Sequence, residues 1–150
     1  MGRFVLLREA GSIAALAGDV DTAFRAAQET AKSFDVSTLN LKFALLESAA
    51  KSRLPVAKKK TFATVTISLI DEAIANDEYD MAKQLTAIAL KLGKRSGDRS
   101  LLRRLTATLK RVAAMEKEFE HYKEAVAVLE NDPTDAKANL TAGEFTCFMK

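Results

Sequence analysis

The chain has 150 residues, 48% hydrophobic and 29% charged, with a formal net charge of +3. That length supports one domain burying roughly 70% of its unfolded surface, and no apolar run approaches the roughly 18 residues of a membrane span. A single cysteine, Cys147, and a single histidine, His121, exclude an intrachain disulfide, a cysteine-built metal site and a multi-histidine site or relay.

Two prolines and six glycines leave little room for long loops, and abundant Ala and Leu favour helix. A first helix is predicted over residues 3–17 and a second over 20–33. Between them, Gly18 suits a helix C-terminus because it takes positive φ cheaply, while Asp19 and Asp21 suit the next N-terminus. Gly11 and Ala14 before the turn, and Ala23 and Ala27 after it, form small-residue stripes that let two helices approach closely. Ser37 caps a third helix over 38–51 with a stripe of Leu41, Ala44, Leu45 and Ala49, and Pro55 ends it.

Residues 63–69 alternate apolar and polar, which taken alone signals a strand. A lone strand in a helical chain has nothing to pair with, so helix is expected over 56–75, with Phe62, Val65, Leu69 and Ala73 on one stripe. A fifth helix runs from Tyr79 towards Leu92, with Gly93 and Gly97 bracketing its end and Ser96 or Asp98 capping the next. Residues 98–130 hold no Gly or Pro and predict one long helix of about 50 Å. Its apolar residues Leu102, Leu105, Leu109, Val112, Met115, Phe119, Tyr122, Val126 and Leu129 approach a heptad seam, which must pack on preceding helices, a second copy or a neighbouring domain. Pro133 opens a last helix over 134–148, with Asp132 as its cap.

The hairpin at 10–27 resembles a tetratricopeptide repeat, a family of two-helix units of about 34 residues. The resemblance is carried by Gly11, Ala14, Gly18, Ala23 and Phe24. It recurs at 76–82, where Tyr79 and Ala82 stand at favoured positions between Ala73 and Ala89, and partly at 131–135, where Pro133 precedes Leu140 and Gly143. No Trp is present at the family's usual place. The resemblance implies an all-α fold, with antiparallel hairpins stacked as a right-handed α-solenoid of about seven helices. It implies one domain over 1–150 that stops mid-repeat, because a partner helix is expected after Lys150. It also extends to helical-repeat portions of long bacterial multidomain proteins. Where many such domains hold a peptide carboxylate with Lys and Asn, this chain has Arg8, Ser12, Ile67, Asp71, Leu140 and Glu144, which do not make that clamp.

Charge is uneven: the net is −1 over 1–50, +8 over 51–111 and −4 over 112–150. Lys91, Lys94, Arg95, Arg99, Arg103, Arg104, Lys110 and Arg111 form the densest basic run. It suits an acidic protein surface or phosphate backbones, although no aromatic interleaves it for base stacking, and a plain solvated helix face is preferred over both. Lys58, Lys59 and Lys60 oppose the dipole of the helix they begin, a mismatch that points towards binding, but a solvated surface is the preferred reading. Asp77, Glu78 and Asp80 lack the glycine and spacing of a calcium loop and are expected to cap a helix. His121 is expected at the surface or an interface, and Cys147 as a small packed residue. The sequence lacks a phosphate-binding glycine loop, a zinc-protease motif and a nucleophile elbow.

The resulting expectation is a non-enzymatic scaffold without cofactor or metal, binding a protein or a neighbouring domain of its own polypeptide. A dimer through the long helix is compatible with this expectation. Nucleic-acid or polyanion binding through the 91–111 face is the alternative.

Overall fold

The computed structural model describes residues 2–148; Met1, Met149 and Lys150 lie outside the described residues. Among the described residues there are seven helices and no strand. They are α1 (Gly2–Ala17), α2 (Val20–Ser33), α3 (Thr38–Lys51), α4 (Val56–Ala75), α5 (Tyr79–Ser96), α6 (Arg99–Asn131) and α7 (Ala136–Phe148).

The alternating stretch 63–69 lies inside α4. The helix absorbs the pattern through its own geometry. Thr64 and Ser68, four residues apart, share an exposed side, and buried Thr66 donates to Phe62 O at 2.7 Å. Phe62, Ala63, Leu69, Ile70 and Ala73 then meet the core.

The turns α1–α2 and α4–α5 are built alike. Gly18 N–H donates to Ala15 O (3.2 Å) and Asp19 N–H to Ala14 O (2.9 Å). Asp77 N–H likewise donates to Ile74 O (3.0 Å) and Glu78 N–H to Ala73 O (2.9 Å). This pair of bonds closes a helix on a left-handed residue, here Gly18 at φ 80° and Asp77 at φ 60°. Gly18 is also constrained from outside, because a Cβ there would lie 3.0 Å from Lys58 Cγ.

Burial repeats in the same register around both turns. Before them, Gly11, Ala14 and Ala15 correspond to Ile70, Ala73 and Ile74, and all six are buried. After them, Val20, Ala23, Ala26, Ala27 and Thr30 correspond to Tyr79, Ala82, Leu85, Thr86 and Ala89, again all buried. Ala23 and Ala82 have no exposed surface at all. Pro133 and Gly143, the positions quoted for a third unit, are exposed, and nothing lies near Gly143.

Helices α1, α2 and α3 pack mutually, and so do α4, α5 and α6; α3 links the two groups through α4 and α5, and α7 rests on α6. The first half of α6 buries Leu101, Leu105 and Val112. Its second half enters an aromatic cluster in which Phe119 lies 4.9 Å from Tyr79 and 5.7 Å from Phe145, with Tyr122 4.8 Å from Phe145. The seam therefore packs on preceding helices and on α7. Leu109 is the exception: it is 40% exposed, while Leu101, outside the expected stripe, is buried. A straight helix drifts relative to a strict heptad, so a nine-residue seam cannot stay on one side over this length.

Three further expectations are corrected. Gly93 does not end α5, which continues to Ser96 and closes at Gly97 (φ 72°). Gly93 is instead a point of close packing, since a Cβ there would sit 2.7 Å from Leu105 Cδ1. The last helix begins at Ala136 rather than Thr134, because Asp135 Oδ1 accepts from Ala138 N–H (2.7 Å) while Asp132 is engaged by Thr134 (3.0 Å). Cys147 is exposed, not packed: α7 faces the core with Ala138 and Phe145, and residue 147 falls on the opposite side.

Arginine at position 23 or 82 has to force a long cation between close helices. Ala23→Arg and Ala82→Arg are each expected to cost about 3 kcal/mol or more, read from chemical denaturation. The two buried glycines within helices separate by sign. Gly11→Ala meets Ala26 Cβ at 3.4 Å and is expected to be neutral or to gain up to about 1 kcal/mol of helix propensity. Gly93→Ala is expected to lose about 1 kcal/mol, because fully buried Leu105 must move. Equal effects of the two alanines in urea melts would contradict this packing.

Candidate functional site: a basic pole

Helix ends decide where the cations gather. Lys51 closes α3, Lys58 to Lys60 open α4, Lys94 and Arg95 close α5, and Arg99 opens α6. Two contacts bring these ends together. Arg95 Nη1 donates to Ala50 O at 3.1 Å, joining α5 to the end of α3. Lys60 Nζ lies 2.7 Å from Asp98 Oδ2, joining the first turn of α4 to the cap of α6. A cavity of about 510 Å³ opens there, lined by Lys51, Ser52, Arg53, Leu54, Lys59 and Arg95. Four of its six lining residues are cations and none is acidic. The α1–α2 turn abuts the same end, with Gly18 against Lys58 and Leu54.

The basic run read from the sequence is thereby divided. All eight of its residues are exposed. Lys94, Arg95 and Arg99 belong to the pole, with Lys91 one turn earlier on α5. Arg103 and Arg104 lie farther along α6, and Lys110 and Arg111 lie about 17–18 Å beyond Arg99. Arg111 is paired with Asp71 of α4, so it is not an unbalanced charge. Among the described residues, Lys91, Lys94, Arg99, Arg103, Arg104 and Lys110 make no ion pair within 4 Å. Their run is a helix flank more than a single focus.

Two contributors escape a linear reading. Arg53 and Lys59 join Arg95 only because α3, α4 and α5 meet; the available signal was the mismatch between Lys58–Lys60 and the helix dipole. Lys42, within the expected apolar part of α3, is buried. Its Nζ lies 3.6 Å from Glu72 Oε2 and 5.7 Å from the centroid of the Phe24 ring, pinning α3 between α2 and α4. Its long aliphatic stem makes such burial possible.

The other candidates separate. Arg8 and Ser12 line a cavity of about 350 Å³ between α1, α2 and α3, with Gly11, Thr30 and Leu45. Asp71 is committed to Arg111, Leu140 is 62% exposed on α7, and Glu144 borders Phe145 and Phe148. His121 is exposed, 3.8 Å from Glu118, beside a cavity of about 460 Å³ between α6 and α7. Of the acidic turn residues, Asp77 supplies the left-handed conformation and Asp80 pairs with Lys83 at 3.0 Å. Glu78 stands at the cap position but its side chain bonds no helix N–H, because the backbone closure already turns the chain. Among the described residues no group of three or more His, Cys, Asp or Glu is placed to hold a metal, and no helix is long and apolar enough to cross a membrane. Comparison with protein-family models, curated proteins and solved structures finds no match to this chain.

The Asp98 carboxyl is held below its ordinary value of 3.8 by the Lys60 ammonium and then by the Leu101 N–H at 2.9 Å. A depressed folded value means that this contribution is complete above the unfolded value and is lost as pH falls through the folded one. Asp98→Asn keeps a cap but loses the ion pair. The melting-temperature gap between the native chain and Asp98→Asn is therefore expected to be widest near neutral pH and to narrow as pH falls below the ordinary carboxyl value of 3.8. A gap unchanged by acid, in melts over a pH series, would contradict the Lys60–Asp98 link.

Proposed function

We propose that this protein is a non-enzymatic helical-repeat scaffold, built as a tetratricopeptide-like solenoid, that joins a protein partner or a neighbouring domain of its own polypeptide. The observation carrying this reading is the apolar surface left open on the terminal helices. On α1, Leu6 is 71% exposed, Ile13 66% and Leu16 54%; on α7, Leu140 is 62% and Phe148 83% exposed. Leu6 and Ile13 lie seven residues apart, so they share one side of α1. Such faces are costly to leave in water, and they are the faces on which a further helix packs in a repeat array.

Two further features support it. The main packing joins only helices that are adjacent or next-adjacent in the chain, the quasi-one-dimensional pattern of repeat proteins. The Gly18 and Asp77 hairpins share backbone closure and burial register, with one linking helix, α3, between them. The turns recur 59 residues apart, so the recurring unit is a two-helix hairpin with a linking helix added, longer than the tetratricopeptide unit of about 34 residues.

The test is photocrosslinking from single residues in the native polypeptide context. A photoreactive residue at Ile13 or Phe148 is expected to give discrete adducts that Leu6→Glu or Leu140→Glu respectively reduces. The same residue at Gln28, exposed on α2, is expected to give only background. Equal labelling at all three positions would overturn the reading.

A second reading is polyanion binding along α6, favoured by the unpaired exposed cations Arg99, Arg103 and Arg104. Affinity for a nucleic acid should then fall steeply between low and physiological salt and vanish when all three become Glu. Fluorescence anisotropy without binding at low salt would remove it.

A further inference from the structure

We infer that the cavity where α3, α4 and α5 meet is a binding site for a small phosphate-bearing anion, one with two or more linked phosphoryl groups. The argument starts from which cations the fold already accounts for. Lys51 and Arg95 stand in the last turns of α3 and α5, where the negative helix end favours them. Lys51 is further balanced by Glu47 at 2.9 Å, and Arg95 is oriented by its bond to Ala50 O.

Arg53 follows the C-cap of α3 and shares that favourable end, whereas Lys59 has no such account. Lys59 lies within the first turn of α4, where the helix dipole disfavours positive charge, and neither it nor Arg53 makes an ion pair among the described residues. Of the carboxylates around the cavity, Asp98 is occupied by Lys60 and Glu47 by Lys51. Repulsion among Arg53, Lys59 and Arg95 is therefore left without a carboxylate partner, facing a cavity whose lining holds no acidic residue. An anion seated there relieves it.

The chemistry of the walls selects the class. Arg53 and Arg95 offer planar forks that match phosphoryl oxygens, Lys59 and Lys51 offer point charges, and Ser52 lies among them. Ser52 Oγ donates to Ala49 O at 2.8 Å, which fixes the rim but spends its one proton, so the donors to an anion are the four cations. The α4 N-terminus adds to this positive field, since its cap, Pro55, provides no side-chain bond to the first-turn N–H groups. The cations stand around an open rim made by the ends of α3 and α5 and the start of α4, which is why linked phosphoryl groups fit better than one. No aromatic lines the cavity, so a nucleobase finds no stacking surface.

The site is distinct from the α6 flank, and its test keeps the two apart. Inorganic tripolyphosphate is titrated calorimetrically into the full chain at about physiological ionic strength, where diffuse surface attraction is screened. The expected result is one bound tripolyphosphate per chain, tighter than orthophosphate, with a raised melting temperature. Arg53→Ala combined with Lys59→Ala, with helicity checked by circular dichroism, is expected to weaken binding by about tenfold or more. Arg103→Ala combined with Arg104→Ala is expected to change it less than about twofold. Absence of tripolyphosphate binding, several sites weakened alike by both double variants, or binding of a single-stranded oligonucleotide without tripolyphosphate would each overturn the inference.

Discussion

The structure rests on how closely two helices can approach across a short turn. Ala14, Ala15, Ala23 and Ala27 in the first hairpin remove side-chain bulk where α1 meets α2, and Ala73, Ala82 and Ala89 do so where α4 meets α5. Close approach is possible only if the turn spends few residues, and the left-handed residues Gly18 and Asp77 permit that. The two requirements reinforce each other. A bulkier stripe would separate the helices and strain the turn, while a longer turn would loosen the stripe. Larger residues, Leu85 and Ile70 in place of Ala26 and Gly11, then give the second hairpin more apolar contact without changing its register.

Electrostatics acts on this frame at its ends. Asp19, Ser37 and Asp98 each accept a helix N–H, so acidic or hydroxyl groups mark most starts. The carboxyls of Asp19 and Asp132 are held below their ordinary values by bonds from Thr22 and Thr134, which suits helix and turn starts open to water. The start of α4 departs from this pattern with proline and lysines. Because α3, α4, α5 and α6 begin or end together there, a local departure becomes a concentration of charge. Elsewhere, cations are balanced across helices: Lys83 lies 2.6 Å from Glu116, Arg111 meets Asp71, and Lys42 meets Glu72.

The legible parts of the sequence were those governed by local chemistry. Gly18, Asp19, Ser37, Pro55 and Gly97 punctuate the chain, and the bounds of α2, α3 and α4 follow from them. Where one residue type serves two purposes, linear reading failed. Gly93 ends a helix as plausibly as it admits Leu105, and only the neighbouring helix decides between them. Asp132 and Asp135 are both competent caps, and the choice depends on where Ala138 and Phe145 must face. Cys147 was misplaced for the same reason. The basic pole was half visible: its clusters at 51–60 and 91–99 could each be read, but their meeting depends on Arg95 reaching Ala50 and Lys60 reaching Asp98. No periodicity encodes contacts of that sequence separation.

The attachment of α7 has a mechanical consequence. Its main packing is on α6 alone, through Ala138 and through Phe145 set between Phe119 and Tyr122. Tension drawn from the C-terminal end would load that aromatic latch first and peel α7 away before the hairpins yield. The chain would thus lengthen stepwise under load, shedding α7 as a compliant joint and keeping the two three-helix groups as the stiff segment.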